Sequence, residues 1–342
     1  MTTPAATTHR RKTDRAARVI AVFVNPHSKA NRKNPKVAAE FQAILGDTGR
    51  VLTPRSLDEL TQAALDLRQQ APAVIAIHGG DGTLHKTVTA LLRAWGDEPL
   101  PPLAALCGGT MNVVAASLGI TERPHAFIHQ LVDSARGGPP LQTLRRRCIQ
   151  VDDLFGFIFG NGVMANFLNE YYAPGGYGPA RAVWLLLRLI GSAVIMGRFV
   201  KRVFNRFRGV VKVDGVAIEW PDFVTIGAGT VREIGLGFKL IDRADDDPER
   251  FGVIAIHAGP LALIQDVMAV RGGRGVSPAR AYSVVASTLD IEPAEKVMAY
   301  TIDGDLYRRS GPLRISVGPA IDFIKPQTGL IRVPRNDTIG RP

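Results

Sequence analysis

Five residues, Gly79-Gly80-Asp81-Gly82-Thr83, follow the apolar run Ala73 to Ile77 and precede the helix-forming stretch Leu84 to Arg93. This order predicts a buried strand, a glycine-rich turn and a helix start. Such a turn points backbone N–H groups at an anion, and the helix N-terminus adds partial positive charge. Glycines leave the backbone bare, so a phosphate can approach closely. Asp81, in the middle of the turn, would repel phosphate unless a metal ion or a polarised hydroxyl lies between them. The pattern therefore points to phosphate chemistry as well as phosphate binding. The plainer reading is a tight strand-to-helix connection.

The elements around the turn narrow the choice. A second short apolar run, Leu103 to Leu106, leads into Cys107-Gly108-Gly109-Thr110-Met111-Asn112 and then a helix-like Val113 to Leu118. A third, Val19 to Val24, ends in Asn25-Pro26-His27-Ser28-Lys29. Three parallel strands with polar turns at their C-terminal ends would set all three turns along one edge, where open α/β sheets bind ligands.

With these residues in hand, the chain resembles the diacylglycerol kinase catalytic-domain family, which includes bacterial lipid kinases, sphingosine kinases and ceramide kinases, with NAD kinases as distant relatives. The resemblance rests on Asn25-Pro26-His27-Ser28, Gly79 to Thr83, and Gly109-Thr110-Met111-Asn112, in order. A fourth element, Asp303-Gly304-Asp305, looks like the family's Asp-Gly-Glu motif with aspartate last. The resemblance spans about residues 18 to 335. It implies an N-terminal α/β nucleotide-binding domain of NAD-kinase and diacylglycerol-kinase type, then a mainly antiparallel β-sandwich domain, with the active site in the cleft between them.

The resemblance also implies ATP and Mg2+ as cofactors. Asn25, Ser28, Gly79, Gly80, Asp81, Gly82, Thr83, Gly109, Thr110, Asn112 and Asp303 would then form the nucleotide site, with Asp81 also a candidate Mg2+ ligand. Asp305 would be the general base that takes the proton of a lipid hydroxyl, one methylene shorter than the family's glutamate. An Asp-Gly pair between β-like runs is also an ordinary hairpin turn. Lys86 stands where the family usually carries Glu, Val113 where it often carries Asp, and Cys107 where it often carries Pro; Lys86 reverses a charge near the phosphates and would either help neutralise them or be a plain surface lysine. The acidic run Asp242 to Pro248 lies where the family often has a structural Mg2+ site, with Asp245 and Asp247 as candidate ligands. It has enough oxygens for a hard cation; the alternative is a solvated loop. His78 and His85, which flank the first turn, read as packed or solvated rather than catalytic.

Composition agrees with an enzyme of two domains: 342 residues exceed the usual size of one core, and 46% hydrophobic content with 35 glycines suits a turn-rich α/β protein. Two cysteines, Cys107 and Cys148, lack metal-site or disulfide-framework spacing, which fits a reducing cytoplasm. The net charge of +11 admits nucleic acid, anionic lipid or phosphorylated substrates. No recognised nucleic-acid module is present, so none is expected as partner.

Residues 1–17 read as a disordered basic tail, 18–140 as the α/β ATP-binding domain completed by 320–335, and 141–319 as the β-sandwich lipid-substrate domain. Short β-like runs from Phe155 to Val317 support the last assignment. Within it, residues 180–208 read as a basic amphipathic helix: an apolar stretch Val183 to Met196 precedes Arg198, Lys201, Arg202, Arg206 and Arg208, with Phe199, Phe204 and Phe207 between them. Arg188 and two glycines argue against a membrane span. The helix would meet an anionic membrane surface or else pack in the domain core.

The expected function is transfer of the γ-phosphate of ATP to a primary hydroxyl of diacylglycerol, ceramide or a sphingoid base, by a cytoplasmic protein peripherally bound to the inner face of the membrane. A homodimer is among the assemblies the sequence allows. The alternatives are a kinase of a soluble acceptor, NAD-kinase-like, and a catalytically degenerate nucleotide- or membrane-binding relative.

Overall fold

A computed structural model describes residues 20–109, 111–174 and 178–327. The first part alternates strands and helices: β1 (Ile20–Val24), α1 (Lys29–Lys33), α2 (Val37–Leu45), β2 (Gly49–Leu52), α3 (Leu57–Gln70), β3 (Val74–Gly79), α4 (Asp81–Trp95), β4 (Leu103–Cys107), α5 (Val113–Ser117) and α6 (Pro124–Ala135). The second part is richer in strands: β5 (Thr143–Val151), β6 (Leu154–Gly156), β7 (Ile158–Asn161), α7 (Val163–Tyr172), α8 (Pro179–Val194), α9 (Arg198–Val203), β8 (Gly209–Val213), β9 (Val216–Ala217), β10 (Thr225–Gly229), β11 (Phe251–Ile256), α10 (Pro260–Arg271), β12 (Ala281–Ala286), β13 (Thr288–Pro293), β14 (Met298–Ile302), β15 (Asp305–Arg309) and β16 (Leu313–Ile324).

All five residues of β1 are buried, as expected of a parallel strand covered on both faces. β2, β1, β3 and β4 lie side by side, parallel throughout. Helices α2 to α6 close over them, with Phe41, Leu67, Leu91 and Phe127 in the core. This is the α/β domain the sequence implied. The second part forms the β-sandwich: a six-stranded antiparallel sheet, β12-β11-β10-β7-β14-β15, packs on the outer strands β5, β8, β13 and β16 of the first sheet. Phe159, Phe223, Phe251 and Ile315 fill the space between them.

One strand joins the two parts. β16 pairs antiparallel with β13 through Leu313–Ser316, then runs parallel to β4 where Phe323 faces Leu103. Its pairing with β5 shifts register between Val317 and Ala320, at Gly318-Pro319. A proline cannot donate to the ladder, and the shift accommodates it. Residues 320–327 thus return to the α/β domain, and Gln327 N donates to Gln130 Oε1 at 2.8 Å. The expected tail 1–17 and the remainder of the return, 328–335, lie outside the described residues.

The helix expected over 180–208 needs correction. It is two helices, α8 and α9, broken where Met196 takes a left-handed conformation (φ 48°) and Gly197 N turns back to Ser192 O. The interleaved aromatics are not an exposed stripe. Phe199 and Phe207 are buried, Phe207 stacks on Phe223, and Arg202 and Arg206 pair with Glu170 and Asp222. The exposed apolar surface is upstream, on α8: Val183, Trp184, Leu187 and Val194 point to solvent, continued by Ile195 and Met196. No helix among the described residues is long and apolar enough to cross a membrane.

Candidate active site

The first turn is shorter than its sequence suggests. Gly79 ends β3, Gly80 is the extended N-cap, and Asp81 opens α4. An acidic side chain in a first helical turn meets the positive end of the helix dipole, so the helix starts three residues early. A neighbouring helix takes part too. Asp81 Oδ1 accepts from Val114 N at 3.0 Å, at the start of α5. Burial pushes the Asp81 carboxyl up, and the amides of Val114 and Val113 pull against that shift.

The second turn abuts the first. A Cβ on Gly109 would lie 2.3 Å from Gly80 Cα, so close approach forces glycine at position 109. Asn112 adopts a left-handed conformation (φ 49°) and folds its side chain back, accepting from Gly109 N at 2.8 Å. From the third turn, Asn25 Nδ2 donates to Thr83 Oγ1 at 2.9 Å, and Asn25 Oδ1 accepts from His27 N. The three turns are thus tied to one another at the C-terminal edge of the parallel strands.

Asp303 and Asp305 arrive from the other domain, on the hairpin between β14 and β15. Asp303 takes a left-handed turn conformation (φ 47°). Its buried carboxylate accepts from Phe157 N and Ile158 N at 2.8–3.1 Å. Burial pushes its carboxyl well up, against the pull of those amides. Asp305 is partly exposed and stands over the first turn of α4: a Cβ on Gly82 would meet its two carboxylate oxygens at 3.1 and 3.2 Å. The Lys86 ammonium lies 3.0 Å from Asp305 Oδ2.

A second link holds the hairpin on α4. His85 is fully buried; its Nδ1–H donates to Phe155 O at 2.8 Å, which leaves Nε2 to accept from Tyr307 Oη at 2.7 Å. Burial lowers the His85 pKa, so the neutral ring is the form held here. Tyr172 Oη donates to Gly304 O, and burial, with Asp305 nearby, pushes its phenol up to about 12.

A single cavity of about 590 Å³ joins these residues. One end is polar and includes Asn25, Ser28, Asp81, Thr83, Asp303 and Asp305. The other is apolar, walled by Leu168, Leu189, Phe204, Phe238, Leu263 and Val267 from α7, α8, α10 and nearby loops. Gly80, Gly82 and Gly109 also line it. Gly79 and Asn112 are not on its wall: Gly79 packs on Thr83, and Asn112 closes its own loop. Thr110 lies outside the described residues.

Asp245 and Asp247 do not line this cavity. Asp245 pairs with Arg146 at 3.0 Å, and Asp247 Oδ1 accepts from Glu249 N. Among the described residues, no group of three or more His, Cys, Asp or Glu side chains gathers to hold a metal. The acidic run is therefore spent on ion pairs and turn bonds rather than collected around an ion.

Several wall residues carry little sequence signal. Thr301 Oγ1 is buried in the cavity wall without a hydrogen-bond partner. It reads as an ordinary strand threonine, although it lines the same cavity as Asp303. Helix α10 has apolar residues on every side, so no periodicity announces which face meets the cavity. Cys107 is a packed thiol, its Sγ 3.4 Å from Ile120 O.

Residues 19–137 match the family model of the diacylglycerol kinase catalytic domain. The chain is 26% identical over 251 residues to "Probable lipid kinase YegS-like" of Pseudomonas aeruginosa, covering 72% of this chain and 74% of that protein. The solved structure of a diacylglycerol kinase from Bacillus anthracis str. Sterne has the same fold, with TM-score 0.60 at 14% identity over 91% of this chain and 97% of that one.

Proposed function

We propose, from the premise that residues 19–137 are a diacylglycerol kinase catalytic domain and the chain a kinase, that it transfers the γ-phosphate of ATP to a primary hydroxyl of a membrane lipid, diacylglycerol or a sphingolipid such as ceramide or a sphingoid base. The observation that carries this reading is the single cavity, whose polar end lies at the phosphate turns and whose other end is apolar and long-walled. A soluble acceptor such as NAD would leave that apolar half unfilled, and burying apolar acyl carbon there is favourable at about 25 cal/mol per Å².

In this reading the α4 N-terminus and the amides of the Gly80 and Gly109 turns hold the nucleotide phosphates. Thr83, steadied by Asn25, adds a hydroxyl at the helix start. Asp305 accepts the proton of the lipid hydroxyl while its oxygen attacks Pγ, and ADP leaves with the electron pair of the broken bond. Mg2+, when bound with ATP, neutralises phosphate charge. Magnesium is commonly held by one or two carboxylates plus substrate phosphates. Asp81, at the polar end of the cavity with its Oδ1 accepting from Val114 N, would serve in that limited role.

The lipid must be reached in a bilayer. In this reading the protein binds the cytoplasmic face of an anionic membrane, and the exposed apolar face of α8, with Leu187 63% exposed and Ile195 just past its end 78% exposed, supports peripheral contact with a membrane surface. Arg188 stacks on Trp184 and Phe199 beside it. The test is incubation with labelled ATP and Mg2+ against mixed micelles of diacylglycerol, ceramide, sphingosine or monoacylglycerol, with NAD as soluble control. Label in one lipid supports the reading and names the acceptor; label in NAD alone overturns it.

A further inference from the structure

Among the described residues lining the cavity, four are acidic, Asp81, Asp266, Asp303 and Asp305, and one is basic, Lys86. Asp266 already has Arg280 at 2.9 Å. The other three carboxylates stand at the polar end, where a triphosphate must enter if the chain is a kinase. Each close pair of like charges costs about 1–4 kcal/mol at 4 Å, depending on how much water screens it. The α4 N-terminus offsets part of this with roughly half a positive charge. Lys86 supplies the one full positive charge on that wall.

Its present contact leaves it free to move. Lys86 Nζ is 3.0 Å from Asp305 Oδ2, yet that oxygen has no hydrogen-bond partner. The contact is one of charge rather than of hydrogen-bond geometry. The lysine side chain is 44% exposed, and a four-carbon stem lets the ammonium swing. Lys86 and Asp305 are also two positions at which the chain departs from the family pattern, and the fold sets them against each other.

We propose that Lys86 is the protein's cation for the transferring phosphoryl group. Before nucleotide binds, its ammonium rests on Asp305. When ATP enters, the ammonium moves to a γ-phosphate oxygen and releases the Asp305 carboxylate to accept the proton of the acceptor hydroxyl. The acceptor oxygen bonds to Pγ, the bond from Pγ to the β–γ bridging oxygen breaks, and its electron pair leaves with ADP. Lys86 neither gains nor loses a proton.

The inference rests on the kinase reading, and its test is chosen to separate the two. Binding of ADP and of a non-hydrolysable ATP analogue, each with Mg2+, is measured by calorimetry for wild type, Lys86→Met and Lys86→Arg. Wild type should prefer the ATP analogue by about tenfold or more, the worth of one added charge contact in partly screened surroundings. Lys86→Met should keep its ADP affinity and lose that preference, and Lys86→Arg should restore it. Where transfer is measured, Lys86→Met should lower turnover about 10²–10³-fold, the usual cost of removing one transition-state donor. A Lys86→Met protein that keeps the ATP preference, or loses ADP and ATP affinity equally, overturns the proposal. These binding measurements need no lipid, so failure to phosphorylate any lipid would refute the function without deciding the role of Lys86.

Discussion

Replacing Gly82 by alanine should move stability and activity in opposite directions. The added Cβ would lie 3.1 Å from Asp305 Oδ1, 3.2 Å from Oδ2 and 3.4 Å from Cγ. These distances are shorter than ordinary contact by a few tenths of an ångström, so the carboxylate must give way. Asp305 is 27% exposed and has room to turn, so the hairpin behind it need not shift. Gly82 lies in the first turn of α4 with an ordinary helical backbone, where alanine gains about 0.5–1 kcal/mol over glycine. The melting temperature should therefore hold or rise. The Asp305 carboxylate, proposed as the base, is however pushed off its position. Misplacement of a catalytic group by about 1 Å costs roughly a hundredfold, so a few tenths should cost about tenfold in turnover. Thermal unfolding and steady-state phosphoryl transfer, run on the same preparations, check both halves. A Gly82→Ala variant with raised stability and undiminished turnover would refute the placement of Asp305 as base over this turn. Loss of both would assign the glycine to the backbone of the phosphate turn instead.

Three further outcomes follow from the same geometry. Burial pushes the His78 imidazole down to about 4 from its ordinary 6.5. Its neutral form is thus favoured by the fold, and the stability it contributes is whole above pH 6.5 and lost as pH falls toward 4. That gap, at about 1.36 kcal/mol per pH unit, is worth about 3 kcal/mol. A His78→Gln variant should show a flatter fall of melting temperature between pH 7 and 4.5, and parallel curves would contradict the assignment. Asp303→Ala strips the acceptor from two buried amides and should cost on the order of 3 kcal/mol by urea unfolding, with transfer lost as the hairpin carrying Asp305 loosens. Leu187→Glu with Ile195→Glu, both exposed, should leave the melting temperature within about 2 °C of wild type and abolish sedimentation with anionic vesicles. Unchanged sedimentation would remove α8 from the membrane contact.

The edge that carries the three turns was largely legible because its signals are local. Buried strands, glycines that permit close approach and a helix start follow one another within a dozen residues, as at Ile75 to Leu84. What the sequence concealed depends on contacts made across the chain. Lys86 reads equally as a neutraliser of phosphate charge or as a surface lysine until Asp305, from another domain, is set 3.0 Å away. His85 finds its partner Tyr307 222 positions downstream. Asn112 resembles a ligand-facing amide, but its left-handed backbone turns it into its own loop. The break at Met196-Gly197 was hidden because the apolar and basic residues on either side both suit a helix, and tertiary packing decided the division. The acidic run at 242–248 has the composition of a cation site, yet Arg146, in the outer sheet strand β5, claims Asp245.

Transfer of label from γ-labelled ATP into organic-extractable lipid tests the central claim most directly. Wild type and Asp305→Asn are compared with Mg2+ and the micellar lipid panel, after calorimetry has established that both bind nucleotide. Wild type should give a labelled phospholipid product and Asp305→Asn at least about a hundredfold less, the usual loss on removing a general base. Equal product from the two proteins would contradict Asp305 as the base, and label found only in a water-soluble acceptor would contradict the lipid kinase itself.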